Sequence, residues 1–268
     1  MVNGPVFVAG CPRSGTSALS WAIAAHPGYW SSAETHFFYY LLRERKESLR
    51  QVYELSSAEP SWLHRHKISY GHFLAHIGFG FDRMLRQQAG GRQWIDGSPE
   101  NVMVGEQLLQ MFPSAHMFVI VRDPRGVCLS MLNSGFKSEW AHNLAAAIRE
   151  WKHYVPLGRA LAAAHPDRVC EIRHEDMRQC PAAVAATIGE RLGLSAPRAI
   201  SEFLATTTIN SSFENRSPPE AARRRDEFLA EYGDLILAET AELARAYGYV
   251  EATGRCDAAA VSLRPDGR

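Results

Sequence analysis

Val6-Phe7-Val8-Ala9 is an uninterrupted apolar run that stops at Gly10, and the pattern of the chain changes directly after it. A run this short, closed by glycine, suits a buried strand that leads into a tight turn. Over residues 14–25 the pattern becomes helical, with Leu19, Trp21 and Ile23 among alanines, and His26-Pro27-Gly28 closes it. Strand, glycine turn and helix make the opening half of a βαβ unit. Such a unit commits a chain to parallel strands joined by crossover helices. The same grammar returns downstream. Residues 93–96 form a candidate strand, followed by Ser98-Pro99-Glu100 and a helix carrying Val102, Leu108, Leu109 and Met111. HMFVIV at residues 116–121 is the clearest buried strand, Pro124 opens a helix where proline is tolerated, and residues 168–172 are a further strand. The expected fold class is α/β, with three α/β/α layers around a central, mostly parallel sheet.

Two regions read as purely helical. Residues 36–89 carry aromatic and basic residues in irregular amphipathic stretches, and residues 219–247 form a charged helix. Residues 251–268 lack periodicity and read as a loose tail, which leaves residues 1–250 as a single domain. With 46% apolar and 22% charged residues, the chain suits a globular core. Lys+Arg and Asp+Glu balance at 29 each, which argues against bulk nucleic-acid binding but allows a local basic pocket. The cysteines Cys11, Cys128, Cys170, Cys180 and Cys256 are odd in number and lack CxxC spacing, so neither a disulfide framework nor a zinc site is expected. The first apolar run is too short for a membrane span and lacks a basic leader. A cytoplasmic location follows as an expectation.

Gly10 and Gly15 are separated by four residues, as in the nucleotide-binding pattern GxxxxGK[ST]. Ser17 fits the final position, but Thr16 replaces the lysine. Glycines let backbone N–H groups turn inward, and the N-terminus of the following helix attracts an anion. The missing lysine argues against handling a γ-phosphate with magnesium. Arg13 instead puts a permanent cation inside the loop, suited to bidentate contact with a phosphate or sulfonate. The bland alternative is an ordinary strand-to-helix turn.

Cys11-Pro12-Arg13-Ser14-Gly15-Thr16-Ser17 resembles the PRSGT[ST] form of the 5′-phosphosulfate loop in the sulfotransferase superfamily. That form occurs in tyrosylprotein, carbohydrate and many bacterial small-molecule sulfotransferases. The resemblance implies a P-loop-containing fold and the donor 3′-phosphoadenosine 5′-phosphosulfate. It also implies that Ser14, Gly15, Thr16 and Ser17 bind the 5′-phosphate, while Arg13 neutralises charge on the bridging oxygen. A second motif lies at the end of HMFVIV: Arg122-Asp123-Pro124-Arg125, with Ser130 eight residues after Arg122. It looks like the family's 3′-phosphate motif, and ligands of parallel sheets bind beyond the carboxyl ends of the strands. Other readings of these residues are a surface Arg122–Asp123 ion pair and a Walker-B aspartate at Asp123. The segment Ile172-Arg173-His174-Glu175-Asp176 resembles the family's YEDL stretch, with His174 lining the adenine pocket. Asn210-Ser211-Ser212-Phe213 and Arg216 resemble a late loop folding over the donor, so Ser211, Ser212 and Arg216 are expected donor contacts.

Sulfonate transfer needs a base near the acceptor. Ala33-Glu34-Thr35 resembles the tyrosylprotein-type arrangement, which makes Glu34 the candidate base and His36 its alternative. Both would face the acceptor; as alternatives, Glu34 caps the helix before Phe37-Phe38 and His36 is a wall residue. Asp96-Gly97-Ser98-Pro99 is similar to the family's D-K-[ST]-P segment, but Gly97 stands where that segment has lysine. Ser98 is the substrate contact expected there. His64, His66, His72 and His76 lack acidic or cysteine partners, so no metal is expected. Residues 36–89 are expected to form a helical cover over a small-molecule acceptor. A P-loop kinase or hydrolase, and an inactive nucleotide-binding protein, are the competing functions; homo-oligomerisation is left open.

Overall fold

The computed structural model describes residues 4–32, 34–43, 49–195, 197–207, 209 and 217–250. Five strands make one sheet: β1 Val6–Gly10, β2 Tyr29–Ser31, β3 Gln93–Asp96, β4 His116–Val121 and β5 Val169–Arg173, in the order β2-β3-β1-β4-β5. Every pairing is parallel. The helices of the first half are α1 Thr16–Ala24, α2 Phe37–Leu42, α3 Leu49–Ser57, α4 Trp62–Arg65, α5 Tyr70–Gln88, α6 Gly105–Met111 and α7 Pro124–Leu132. Those of the second are α8 Leu144–Ala164, α9 His174–Gln179, α10 Pro181–Leu192, α11 Arg198–Thr206, α12 Pro218–Glu239 and α13 Ala241–Ala246. Two 3₁₀ turns, Pro99–Val104 and Glu139–Ala141, complete the described elements.

Alternation along β1 divides the core between the two faces of the sheet. Phe7 and Ala9 face the layer that includes α2, α6 and α8, where Phe38, Trp94 and Phe112 close around Phe7 with ring centroids 5.6–5.9 Å away. Val6 and Val8 face the layer of α1, α10 and α11, against Leu19, Ile188 and Ile200. The three-layer α/β/α class expected from the strand–helix alternation is therefore present.

The details refine the sequence reading. β2, three residues long, is too short to show a period. α8, the long helix behind the site, carries Pro156 in its interior, where a proline normally ends a helix. Burial of Trp151, Tyr154 and Val155 holds it together, and the Asn143 side chain caps its start by accepting from Ala146 N–H at 3.0 Å. The helix expected after β3 is split into a 3₁₀ turn and α6. Cys11, Cys128 and Cys170 are free and buried, whereas Cys180 is disulfide-bonded, contrary to the expectation from cysteine spacing. Among the described residues no helix is long and apolar enough to cross a membrane. Ser211, Ser212, Arg216 and the tail 251–268 lie outside the described residues.

Candidate active site

β1, β3 and β4 lie side by side, and the segments that follow them open onto one cleft of about 700 Å³. The turn after β1 supplies its floor. Gly10 (φ 142°) and Gly15 (φ 107°) adopt backbone angles that a side chain resists, and a Cβ on Gly10 would meet the Ile120 carbonyl oxygen at 2.4 Å. Ser14 N–H donates to the Cys11 carbonyl at 3.1 Å, which closes the turn just before α1 begins. Arg13 also has a left-handed backbone (φ 68°), a cost of about 1–3 kcal/mol that non-glycine residues carry mostly at functional positions.

The end of β4 meets this loop. Arg122 Nη1 donates to the Arg13 carbonyl at 2.8 Å, and Arg13 Nε donates to Ser130 Oγ on α7 at 3.1 Å. Residues 117 positions apart, each expected to hold the donor, are thus in direct contact. Burial lowers the pKa of both guanidiniums, yet arginine stays charged in proteins, so two cations sit together with little water around them. Trp151 Nε1 donates to the Arg122 carbonyl at 2.9 Å and fixes the strand end from α8. Asp123 does not pair with Arg122. It caps α7 by accepting from Arg125 N–H at 2.8 Å and pairs with the Arg125 side chain at 2.6 Å. No Arg122–Asp123 salt bridge forms, and the Asp123 carboxylate is occupied by Arg125.

His174, at the start of α9, packs on the loop: a Cβ on Gly15 would lie 2.6 Å from its Nδ1. Burial, with Arg122 next in weight, pushes its pKa down to about 3, so the ring is neutral. Its Nδ1 and the Oγ of Ser14 are buried without a hydrogen-bond partner. Buried polar groups are normally satisfied, so orphans beside two arginines mark a place where a polar, anionic ligand fits. A second cavity of about 550 Å³, lined by Ser130, Gly126 and Arg125, shares Arg122 and His174 with the first.

The opposite wall is assembled from the loop after β2 and the 3₁₀ turn after β3. Ser17 Oγ donates to Glu34 Oε1 at 3.2 Å, and Glu34 Oε2 lies 3.3 Å from His36 Nε2. Burial raises the Glu34 pKa, opposed by His36 and by the Ser17 hydrogen bond. His36 is the N-terminal cap residue of α2, with φ 57°, so Glu34 does not cap that helix. Ser98 is fully buried. Its hydroxyl donates to Asp96 Oδ1 at 2.6 Å and accepts from His36 N–H at 2.9 Å, and Asp96 also accepts from Thr35 Oγ1 at 2.6 Å. The side chain expected to touch substrate is instead committed to holding the base loop.

Trp21, Phe136, Trp140 and Tyr154 give the cleft its apolar wall. Of the described residues 36–89, His36 lines it. Sequence reasoning missed Glu100, Phe136 and Trp140. Glu100 lies two positions beyond Ser98 in a segment already singled out, and the two aromatics flank a glycine-started loop. His76 Nδ1 is bonded to the His72 carbonyl at 2.8 Å, and among the described residues no group of three His, Cys, Asp or Glu is placed to hold a metal.

The fold has solved counterparts. It is similar to the sulfotransferase domain from the curacin biosynthetic pathway (TM-score 0.54, 17% identity, 92% of this chain and 98% of that one). It is also similar to the sulfotransferase domain from the Synechococcus PCC 7002 olefin synthase (TM-score 0.52, 21% identity, 82% of each chain). At such identities the likeness shows the shared fold. No curated protein matches the sequence significantly. The model of a family described as "Sulfotransferase family" matches residues 5–198, the span that contains the loop, the base candidates, Arg122, Ser130 and His174. The chain belongs to the sulfotransferase family.

Proposed function

We propose that the chain transfers a sulfonate group from 3′-phosphoadenosine 5′-phosphosulfate to a hydroxyl or amine of a small-molecule acceptor. The observation that carries this reading is the contact of Arg13 with both Ser130 and Arg122, beside the orphaned hydroxyl of Ser14. A loop cation joined to a strand-end arginine and a helix serine suits a nucleotide with phosphates at two positions. Ser14, Gly15, Thr16 and Ser17 with Arg13 would hold the 5′ end, Arg122 and Ser130 the 3′-phosphate, and His174 the adenosine side. When bound, the donor supplies an S–O bond to phosphate; that bond breaks with its electron pair leaving on the phosphate, while a new S–O bond forms to the acceptor oxygen.

Glu34 is the base. Its Oε1 is held by Ser17, which leaves Oε2, on the His36 side, to take the acceptor's proton. Arg13 faces the loop and stabilises negative charge arising there, in a site where burial strengthens the interaction. Ser98 positions the base loop, and Trp140 with Phe136 orients an apolar acceptor against the exposed face of the cleft. The protein works in a soluble, cytoplasmic setting and needs no metal.

Calorimetry with 3′-phosphoadenosine 5′-phosphate and with ATP plus magnesium tests the donor. Tight binding of the first with little of the second is expected. Preference for ATP with magnesium would point to phosphoryl chemistry and end the proposal. Labelled donor with a panel of phenols, alcohols and amines then tests transfer, and donor binding without turnover across the panel would favour an inactive binding protein.

A further inference from the structure

His36 is held from three directions. Its ring nitrogens face two different carboxylates, Nε2 to Glu34 Oε2 at 3.3 Å and Nδ1 to Glu100 Oε2 at 3.1 Å. Its backbone N–H donates to Ser98 Oγ, and its φ of 57° lies in the left-handed region that few residues other than glycine adopt. Ser98 and Glu100 flank Pro99 at the start of one 3₁₀ turn, so a single short segment grips both the backbone and the ring of His36. Glu100 is only 27% exposed and faces Tyr154 and Glu150 of α8. No cation pairs with it in place of His36 among the described residues; its contact is the imidazole.

We propose that Glu100 is a positioning residue that fixes His36 with its proton on Nδ1, presents Nε2 to Glu34, and so makes Glu34 and His36 one proton-accepting pair. This deepens the proposed function and rests on it. A carboxylate accepts only, so the Glu100 contact is a hydrogen bond when Nδ1 carries the proton. Nε2 then has a lone pair for a proton arriving on Glu34. The balance is simple: the acceptor's O–H proton passes to Glu34, then from Glu34 to Nε2. The imidazolium that forms lies between two carboxylates, while Glu34 returns to its ionised state. A third group that orients a base and steadies its charged form is a general device of acid–base catalysis.

Nitrogen NMR of the whole protein, with His36 assigned from a His36→Gln variant, reads the tautomer directly. A proton on Nδ1 is expected in the native protein, and a neutral ring protonated on Nε2 would overturn the proposal. Glu100→Ala is expected to lower kcat by about 10–100-fold, with KM and the affinity for 3′-phosphoadenosine 5′-phosphate within about twofold. Glu100→Asp should recover part of the loss, because it keeps the carboxylate. A Glu100→Ala enzyme with native kcat, or one whose loss lies in donor affinity, would overturn it too. If Glu100→Ala does not fold, the native tautomer and Glu100→Asp decide. A native protein that transfers no sulfonate would sink the functional reading, while the nitrogen spectrum would still report on Glu100.

Discussion

Residues 10–17 reach the cleft as one continuous segment from the end of β1 into α1, whereas Glu34, His36, Ser98 and Glu100 arrive from two segments more than 60 positions apart. The anion side depends on backbone conformation and on two arginines; the base side depends on a chain of side-chain hydrogen bonds from Asp96 through Ser98 to His36. Loss of one side chain should therefore have different consequences on the two sides. On the anion side, Arg13 apart, it removes binding. On the base side it removes rate.

Glu34→Gln breaks that contrast most sharply: a fall in kcat of about 10²–10⁴ is expected, with donor affinity kept, as single-turnover rates and calorimetry would show. The pH profile sharpens it. A base acts when ionised, and burial raises the Glu34 pKa, so activity should be lost as pH falls through a value above that of an ordinary carboxylate. A limb at an ordinary carboxylate pH would argue against Glu34. Arg122→Ala should weaken binding of 3′-phosphoadenosine 5′-phosphate by roughly 10²-fold, the size of about 3 kcal/mol for hydrogen bonds to a charged group. Ser98→Ala leaves a buried carboxylate short of one donor and should cost roughly 1–3 kcal/mol in chemical denaturation, with kcat lowered more than donor affinity. The smallest change is expected from Trp140→Ala, a rise of a few-fold in acceptor KM with kcat retained, since it trims an apolar wall.

The anion side was legible because its signals are local. A short apolar run, glycines at fixed spacing and an arginine at a strand end keep their meaning within a few residues. β3 and β4 and the start of α7 were readable on the same grounds. The base side showed its residue types, Glu34 and His36, but not its architecture. Ser98 looks like a substrate contact until Asp96 and the His36 N–H are seen to occupy it, and Glu100 has no local pattern that aims it at His36. The capping of α7 by Asp123 and its pairing with Arg125 likewise depend on helix geometry that no window of sequence shows. The tertiary context of α8 overrides its proline, and no window of sequence contains that context.

Three adjacent strands would carry the proposed chemistry, β3 the base anchor, β1 the anion loop and β4 the second arginine. Neighbouring strands in a sheet are about 4.8 Å apart. In the proposed mechanism the loop that carries Glu34 follows β2 and is tied through Ser98 to the end of β3, so its distance from the anion loop is set by the sheet and that tether. Residues 134–141, strung between α7 and α8, can change their aromatic content without moving it. Under the proposed function, acceptor preference would be an exchangeable part on a fixed frame, and redesign toward other acceptors would begin at Phe136 and Trp140.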